Sequence, residues 1–331
     1  MLRKNILDCI GNTPMVKLNK VVPQDAANIY VKLEYFNPSG SKKDRMALAM
    51  IEGAEKRGTL KKGMTVVEYS GGSTGAALAL ICSLKGYPFR LITSNAFSKE
   101  KINMMRALGA QLEIIESPDG KISKSVIDAM VSRATEIAKE PNTFFTNQLS
   151  NNDVLDGFEQ LGKEIIDQLK GIKVDAICDS VGTAGTLMGI SRAFKGSDRP
   201  QFIALEPSSL PVLTSGEKGS QSVEGIGLGF IPALLDMKHY DKAMAIDEKE
   251  ARVMAKRLAK EEGIFAGTST GINVAGAIEI AKTLGPNKNI VVVACDAGLK
   301  YLNEGLYFIK ANTILHDWIL IRSKPNQINP F

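Results

Sequence analysis

The sequence predicts an α/β protein with two parallel-sheet units, each covered by helices, and three observations predict it. Short strand-like apolar runs alternate with longer helix-like runs along the chain. Small-residue turns recur between a strand and the following helix. At about 150 residues per domain, 331 residues correspond to about two domains.

In the first unit, IYVKLE (29–34) and TVVEY (65–69) read as strands. Between them FNPSGSKKDRMALAMIEGA (36–54) is a Pro/Gly/Ser turn opening a helix, with Met46, Ala47, Ala49, Met50 and Ala54 apolar. Thr74 to Lys85 reads as a buried helix stopped by Gly86 and Pro88. A strand FRLIT (89–93), a helix over Ser98 to Leu108 closed by Gly109, a strand QLEII (111–115) and a helix within Ser123 to Lys139 follow. After the Asn-rich TNQLSNND (146–153) the second unit opens with a helix to Leu169, strand DAICD (175–179), a Gly-rich turn and a helix from Thr186. Strand FIALE (202–206), a loop-rich stretch 207–235, a helix within 248–262, another opening near Gly271 and strand IVVVAC (290–295) complete it. The last ten residues, RSKPNQINPF, read as a surface tail.

Composition narrows the function classes. Apolar residues make up 44% and charged residues 23%, which describes an ordinary globular chain, and no apolar run is long enough to span a membrane. The net charge is +5, but basic and acidic residues are interspersed, so nucleic-acid binding is disfavoured. Cys9, Cys82, Cys178 and Cys295 form no C-x-x-C pair and read as reduced thiols; with no secretory signal, the cytoplasm is expected. Two distant histidines, His239 and His316, make a metal site unexpected.

Three strand-to-helix turns offer backbone N–H groups and a positive helix end to an anion. They are SGGSTG (70–75), GTAGT (182–186) and GTSTG (267–271). A tight turn also needs glycine for steric reasons, so each alone leaves both readings open. There is no G-x-x-x-x-G-K-[ST], and GIGLG (225–229) lacks the spacing and context of a dinucleotide fingerprint. In SKKDR (41–45) two lysines enter a helix N-terminus, where the positive end and the neighbouring ammonium lower an amine's pKa. Such an amine suits nucleophilic or base chemistry; solvated surface charge is the other reading.

The order of motifs resembles the cysteine synthase / cystathionine β-synthase family of pyridoxal-phosphate enzymes, of fold type II or tryptophan-synthase-β-like class. The motifs are IGNTPMVKL (10–18), SKKDR, SGGSTG, NQLSN (147–151), GTAGT, EGIGLGF (224–230) and GTSTG, and they cover nearly the whole chain. The resemblance implies two open, twisted, mostly parallel sheets with pyridoxal 5'-phosphate in the cleft between a smaller mobile domain (41–150) and a larger one (1–40 plus 151–331). It implies that Lys43 binds the cofactor covalently and serves as catalytic base. Gly182, Thr183, Ala184, Gly185 and Thr186 would cradle the phosphate, and Ser269 would face the pyridine nitrogen as a neutral partner. Ser70, Gly71, Gly72, Ser73, Thr74, Gln148 and Gly225 would bind the substrate, with Ser73 also at the cofactor's ring hydroxyl.

The sequence departs from the family at named places. The common loop T-S-G-N-T-G has Ser70, Gly71 and Ser73 in place of Thr, Ser and Asn, and Gly71 is expected to open space. Lys42 occupies a usually apolar slot, and Ala184 replaces a usual glycine, which a negative φ would accommodate.

The implied reaction is β-replacement on a serine-type amino acid (O-acetylserine, O-phosphoserine, serine or cysteine) by sulfide or a thiol, through an aminoacrylate. The alternatives are net β-elimination, of the dehydratase or desulfhydrase type, and a non-catalytic cofactor-binding protein acting through a partner. A homodimer is expected, as is a bare catalytic core without heme-binding or C-terminal regulatory modules.

Overall fold

A computed structural model describes residues 2–121, 123–303 and 305–308. In chain order its first half contains β1 (Met15–Lys17), β2 (Asn28–Leu33), α1 (Lys43–Arg57), β3 (Thr65–Tyr69), α2 (Ser73–Lys85), β4 (Phe89–Ser94), α3 (Lys99–Ala107), β5 (Gln111–Ile115), α4 (Lys124–Ile137) and β6 (Thr143–Phe145). The second half adds α5 (Asp153–Gln168), β7 (Ala176–Ser180), α6 (Gly185–Ala193), β8 (Gln201–Pro207), β9 (Lys242–Ile246), α7 (Glu248–Arg257), α8 (Thr268–Leu284) and β10 (Asn289–Ala294). Among the described residues the strands form a six-stranded sheet, β1-β2-β10-β7-β8-β9, and a four-stranded sheet, β5-β4-β3-β6. All pairings are parallel except β1 with β2.

β7 and β10 are wholly or almost wholly buried, since helices cover both faces of a parallel sheet and its central strands have no solvent side. α8 is buried along most of its length, so its small residues Gly271, Ala275, Gly276 and Ala277 let neighbouring backbone and side chains approach. A Cβ on Gly271 would sit 2.0 Å from the Ala251 carbonyl oxygen. α1 ends on Gly58 in the left-handed conformation, with Lys56 and Arg57 in its last turn complementing the helix dipole.

Three strands lie outside the sequence reading: β1, β6 and β9. Each is an edge strand of three to five residues paired on one side only, too short to stand out as an apolar run. The α8 helix opens at Thr268, three residues before Gly271. The expected C-terminal tail and His316 lie outside the described residues.

The start of α1 is held by a buried charge network. Arg45 meets Glu34 (Nε to Oε2, 2.6 Å) and Glu164 (Nη1 to Oε1, 2.7 Å), and Glu164 also accepts from the fully buried Lys32 at 2.7 Å. Burial opposes it, but the Arg45 and Lys32 cations hold the Glu164 carboxyl at about 2. Asp44 accepts from Ser39 N at 2.7 Å and from Ser39 Oγ, closing the Ser39–Ser41 turn. The two residues that follow Lys43 therefore fix where it points into the fold.

Candidate active site

The site lies at the carboxyl ends of β7 and β10, where ligands bind in open parallel sheets. Ser41 bridges Asp296, Ala266 bridges Ala297, and Lys42 N donates to Cys295 O at 2.9 Å. These contacts gather the first turns of α1 and α8 around the end of β10, while β7 runs directly into the turn before α6.

Lys43 is the first residue of α1. Burial lowers its amine to about 8, the Lys42 ammonium pushes the same way, and Cys295, Asp179 and Asp296 oppose them. Among the described residues its Nζ makes no hydrogen bond or ion pair, so the lone pair of the neutral amine is unspent. Lys42 points elsewhere, into a buried ion pair with Asp179 at 2.7 Å.

The GTAGT turn offers unspent donors. Gly185 N donates to Thr183 Oγ1 at 3.4 Å, whereas the N–H groups of Gly182, Thr183, Ala184 and Thr186 find no acceptor among the described residues. The turn is packed from outside by the 224–230 loop: a Cβ on Gly182 would lie 2.2 Å from Gly225 O, and Gly227 N donates to Val181 O at 2.9 Å. Ala184 corrects an expectation. Its φ is +66°, not negative, so the alanine that stands here adopts the left-handed conformation in which glycine costs least.

In the SGGSTG loop, Ser70 Oγ accepts from Gly72 N and Gly75 N, each at 3.1 Å. That internal brace leaves the N–H groups of Gly71, Ser73 and Thr74 without an acceptor among the described residues. Gly71 does not open space: the Phe97 ring fills it, and a Cβ there would fall 2.1 Å from Phe97 Cε1. Thr74 Oγ1 donates to Gln148 Oε1 at 2.7 Å, joining two residues that the motifs pair. Gln148 N in turn donates to Glu68 Oε2 at 3.0 Å. Burial pushes the Glu68 carboxyl up to about 7, against its hydrogen bonds from Thr146, Tyr69 and Gln148.

Ser73 stands at the junction of the two sheets. Its Oγ lies 3.5 Å from Asp296 Oδ2 and accepts from Lys300 Nζ at 3.2 Å. Asp296 Oδ2 also accepts from Tyr301 Oη at 2.8 Å, while the buried Oδ1 has no partner among the described residues. The sequence reading missed Asp179, Asp296 and Lys300. Their one signal is position, because DS closes strand β7 and DAGLK comes just after strand β10, at the ends where such sheets bind ligands. Ser269 is buried at the start of α8, beside the Cys295 thiol.

This donor set fits a phosphorylated aldehyde: an uncommitted amine of lowered pKa, a turn of unspent N–H groups for a phosphate, and neutral hydroxyls around them. Comparison with known proteins points the same way. A family model described as pyridoxal-phosphate dependent enzyme matches residues 6–296. The chain is 41% identical over 307 residues to a cysteine synthase of Staphylococcus aureus, spanning 92% of this chain and 96% of that one. An O-ureido-L-serine synthase structure superposes with a TM-score of 0.88 at 34% identity, covering 97% of this chain and all, 100%, of that one. A cysteine synthase structure from Entamoeba histolytica gives 0.87 at 32% identity, over 94% of this chain and 92% of that one.

Proposed function

The chain belongs to the family of pyridoxal-phosphate dependent enzymes, and from that premise we propose that it replaces the β-substituent of a serine-type amino acid by sulfide. The observation that carries this reading is the Lys43 amine: lowered to about 8, free of partners among the described residues, and next in sequence to Lys42, which pairs with Asp179 on β7, the strand that leads into the GTAGT turn. Its relatives include cysteine synthases, which favours replacement over net elimination.

In this reading Lys43 holds the cofactor through Nζ, the N–H groups and hydroxyls of Gly182 to Thr186 hold its phosphate, Ser269 faces its ring nitrogen, and Ser73 its ring hydroxyl. Bound pyridoxal phosphate supplies an electron sink for charge developing at the substrate α-carbon. The N–H groups of Gly71, Ser73 and Thr74, with the Gln148 amide, bind the substrate carboxylate. Ser70 and Gly72 shape that loop, because the Ser70 hydroxyl is spent on Gly72 and Gly75. Lys43 Nζ, freed when the substrate amine takes its place on the cofactor, would take the α-proton as the β-substituent leaves, keep it within the site, and return it to the same carbon once sulfide has added. Gly225, against Gly182, puts the 224–230 loop over the phosphate turn.

Residues 41–150 would form the smaller unit that moves on substrate binding, since the four-stranded sheet draws only on residues 65–145. The Lys101–Glu224 ion pair and the Asn303 to Glu100 bond at 2.8 Å then act as latches across the cleft. A homodimer is supported by exposed apolar residues in the opening and lid-side segments: Val16, Leu228, Phe230 and Ile231. No helix among the described residues is long and apolar enough to cross a membrane, and four free cysteines suit a reducing compartment such as the cytoplasm.

The test is a panel of O-acetylserine, O-phosphoserine, serine and cysteine, each with and without sulfide, followed by the cofactor's visible absorbance and by product analysis. Replacement gives a new thiol amino acid only when sulfide is present. Pyruvate and ammonia without it would mark elimination, and a silent spectrum with every donor would defeat the reading. Sedimentation velocity decides the dimer.

A further inference from the structure

Two lysines stand side by side at the start of α1, and the structure gives them opposite surroundings. Lys42, the residue before the helix, is buried, and its Nζ donates to both oxygens of Asp179, at 3.0 and 2.7 Å. Asp179 is 2% exposed, and its Oδ1 also accepts from Asn273 Nδ2 at 2.8 Å. Asn273, in α8, accepts from Ser180 N at 2.7 Å and donates to Val293 O at 2.8 Å. One buried cluster thus ties the start of α1 to the ends of β7 and β10 and to α8. The amine of Lys43 stands beside this cluster and outside its hydrogen bonds. The charged and titratable groups acting on Lys43 are Lys42 at the cap of its own helix, Asp179 near the end of β7, and Cys295 and Asp296 after β10. Asp44 faces away, toward Ser39.

We propose that Lys42 is a positioning residue: by occupying Asp179 it keeps that carboxylate from capturing Lys43, so that of two adjacent amines only Lys43 stays free to react with a carbonyl. The inference rests on the reading that Lys43 binds the cofactor. Its physics is that of a buried charge, which must be paired or must neutralise. Without Lys42, Asp179 has Lys43 as its nearest uncommitted ammonium, and an ion-paired amine keeps its proton and loses its nucleophilic lone pair. Without Asp179, Lys42 becomes a buried cation with no counter-charge, sheds its proton and competes with Lys43. Removing both takes away a neutral pair and leaves Lys43 nearly as it was. Buried pairs replaced together by apolar residues are often well tolerated.

The experiment uses the holoenzyme, resolved and reconstituted with pyridoxal 5'-phosphate from about pH 6 to about pH 10, with visible absorbance followed as uptake proceeds. Borohydride reduction and peptide mapping then locate the labelled lysine. The parent should carry the label on Lys43, with uptake rising through a midpoint near pH 8. Lys42→Met should move that midpoint up by about one unit or more. Asp179→Asn, nearly isosteric, should move it down and transfer part of the label to Lys42. This variant carries the test alone if Lys42→Met does not fold. The double variant Lys42→Met, Asp179→Ala should return the midpoint to within about half a unit of the parent, because coupled sites are non-additive. Unchanged midpoints and labelling in both single variants would overturn the inference while leaving Lys43 as the cofactor lysine. A parent label on Lys42, or on neither lysine, would overturn the reading beneath it as well.

Discussion

Thr74 Oγ1 and Gln148 Oε1 meet at 2.7 Å across the ends of β3 and β6, and this bond decides which way the glutamine amide faces. With Oε1 committed to the threonine, Nε2 is left as donor, in a long contact of 3.3 Å to Tyr69 O, free to shift to a carboxylate. Thr74→Val should therefore raise the KM for the amino-acid donor about three- to tenfold, the worth of one hydrogen bond, with a smaller fall in kcat. Gln148→Ala should raise KM further. Steady-state kinetics with the donor varied at fixed sulfide checks it; an equal loss confined to kcat would show that the pair acts after binding.

The same loop carries a steric constraint. A Cβ on Gly71 falls 2.1 Å from Phe97 Cε1, so Gly71→Ala must displace an aromatic ring that is half-buried against Tyr69 and its neighbours. A loss of about 1–3 kcal/mol is expected by urea unfolding, as for an overpacked core. Phe97→Ala in the same chain should recover part of that loss, since the obstacle is a side chain. Two additive losses would mean that the ring and the glycine do not share the space.

How much of this was legible in the sequence follows from what each feature depends on. TVVEY and QLEII are strands with the bounds read from their apolar runs: the first is a buried central parallel strand and the second a half-exposed edge strand, each flanked by turn residues. The SGGSTG and GTAGT turns are also local, since glycine and small hydroxyl residues after a strand announce themselves; GTSTG, expected as a third such turn, follows α7 with only a single bridge at Ala266 before it, and Thr268 to Gly271 form the first turn of α8. Lys42 with Asp179, and Ser73 with Asp296, are separated by 137 and 223 residues, and only the folded sheet brings their charges together. The filling of the Gly71 space by Phe97 is hidden for the same reason. The φ of Ala184 escapes the sequence for another, since alanine at that position argues against the conformation the turn imposes on it.

Ala184 yields a prediction of its own. At φ +66° its Cβ crowds the backbone, and glycine removes that strain at the expense of a more flexible unfolded chain. The two effects nearly offset, leaving Ala184→Gly stabilised by up to about 1 kcal/mol. The turn's N–H groups keep their directions, so pyridoxal phosphate affinity should hold. Thermal unfolding and a cofactor titration check both; a fall in either would mean that the methyl group makes a favourable contact stronger than the strain.

Lys43 should cost the cofactor-free protein stability, in a pH window set by its own titration. Burial and the Lys42 ammonium depress the folded-state amine to about 8, against an ordinary value of 10.5. Between those values the unfolded chain holds the proton more tightly than the fold, so stability attributable to this residue rises with pH. Below about 8 both states are protonated and the fold bears the full cost of a half-buried ammonium that has no partner among the described residues. Lys43→Met removes that cost and breaks no side-chain hydrogen bond among the described residues. The variant should therefore be more stable than the parent at pH 7, the advantage shrinking as pH climbs from about 8 toward 10.5, measured by urea unfolding of both cofactor-free proteins. A variant less stable than the parent at pH 7 would mean that the amine is well solvated or paired, and the lowered pKa on which its reactivity depends would go with it.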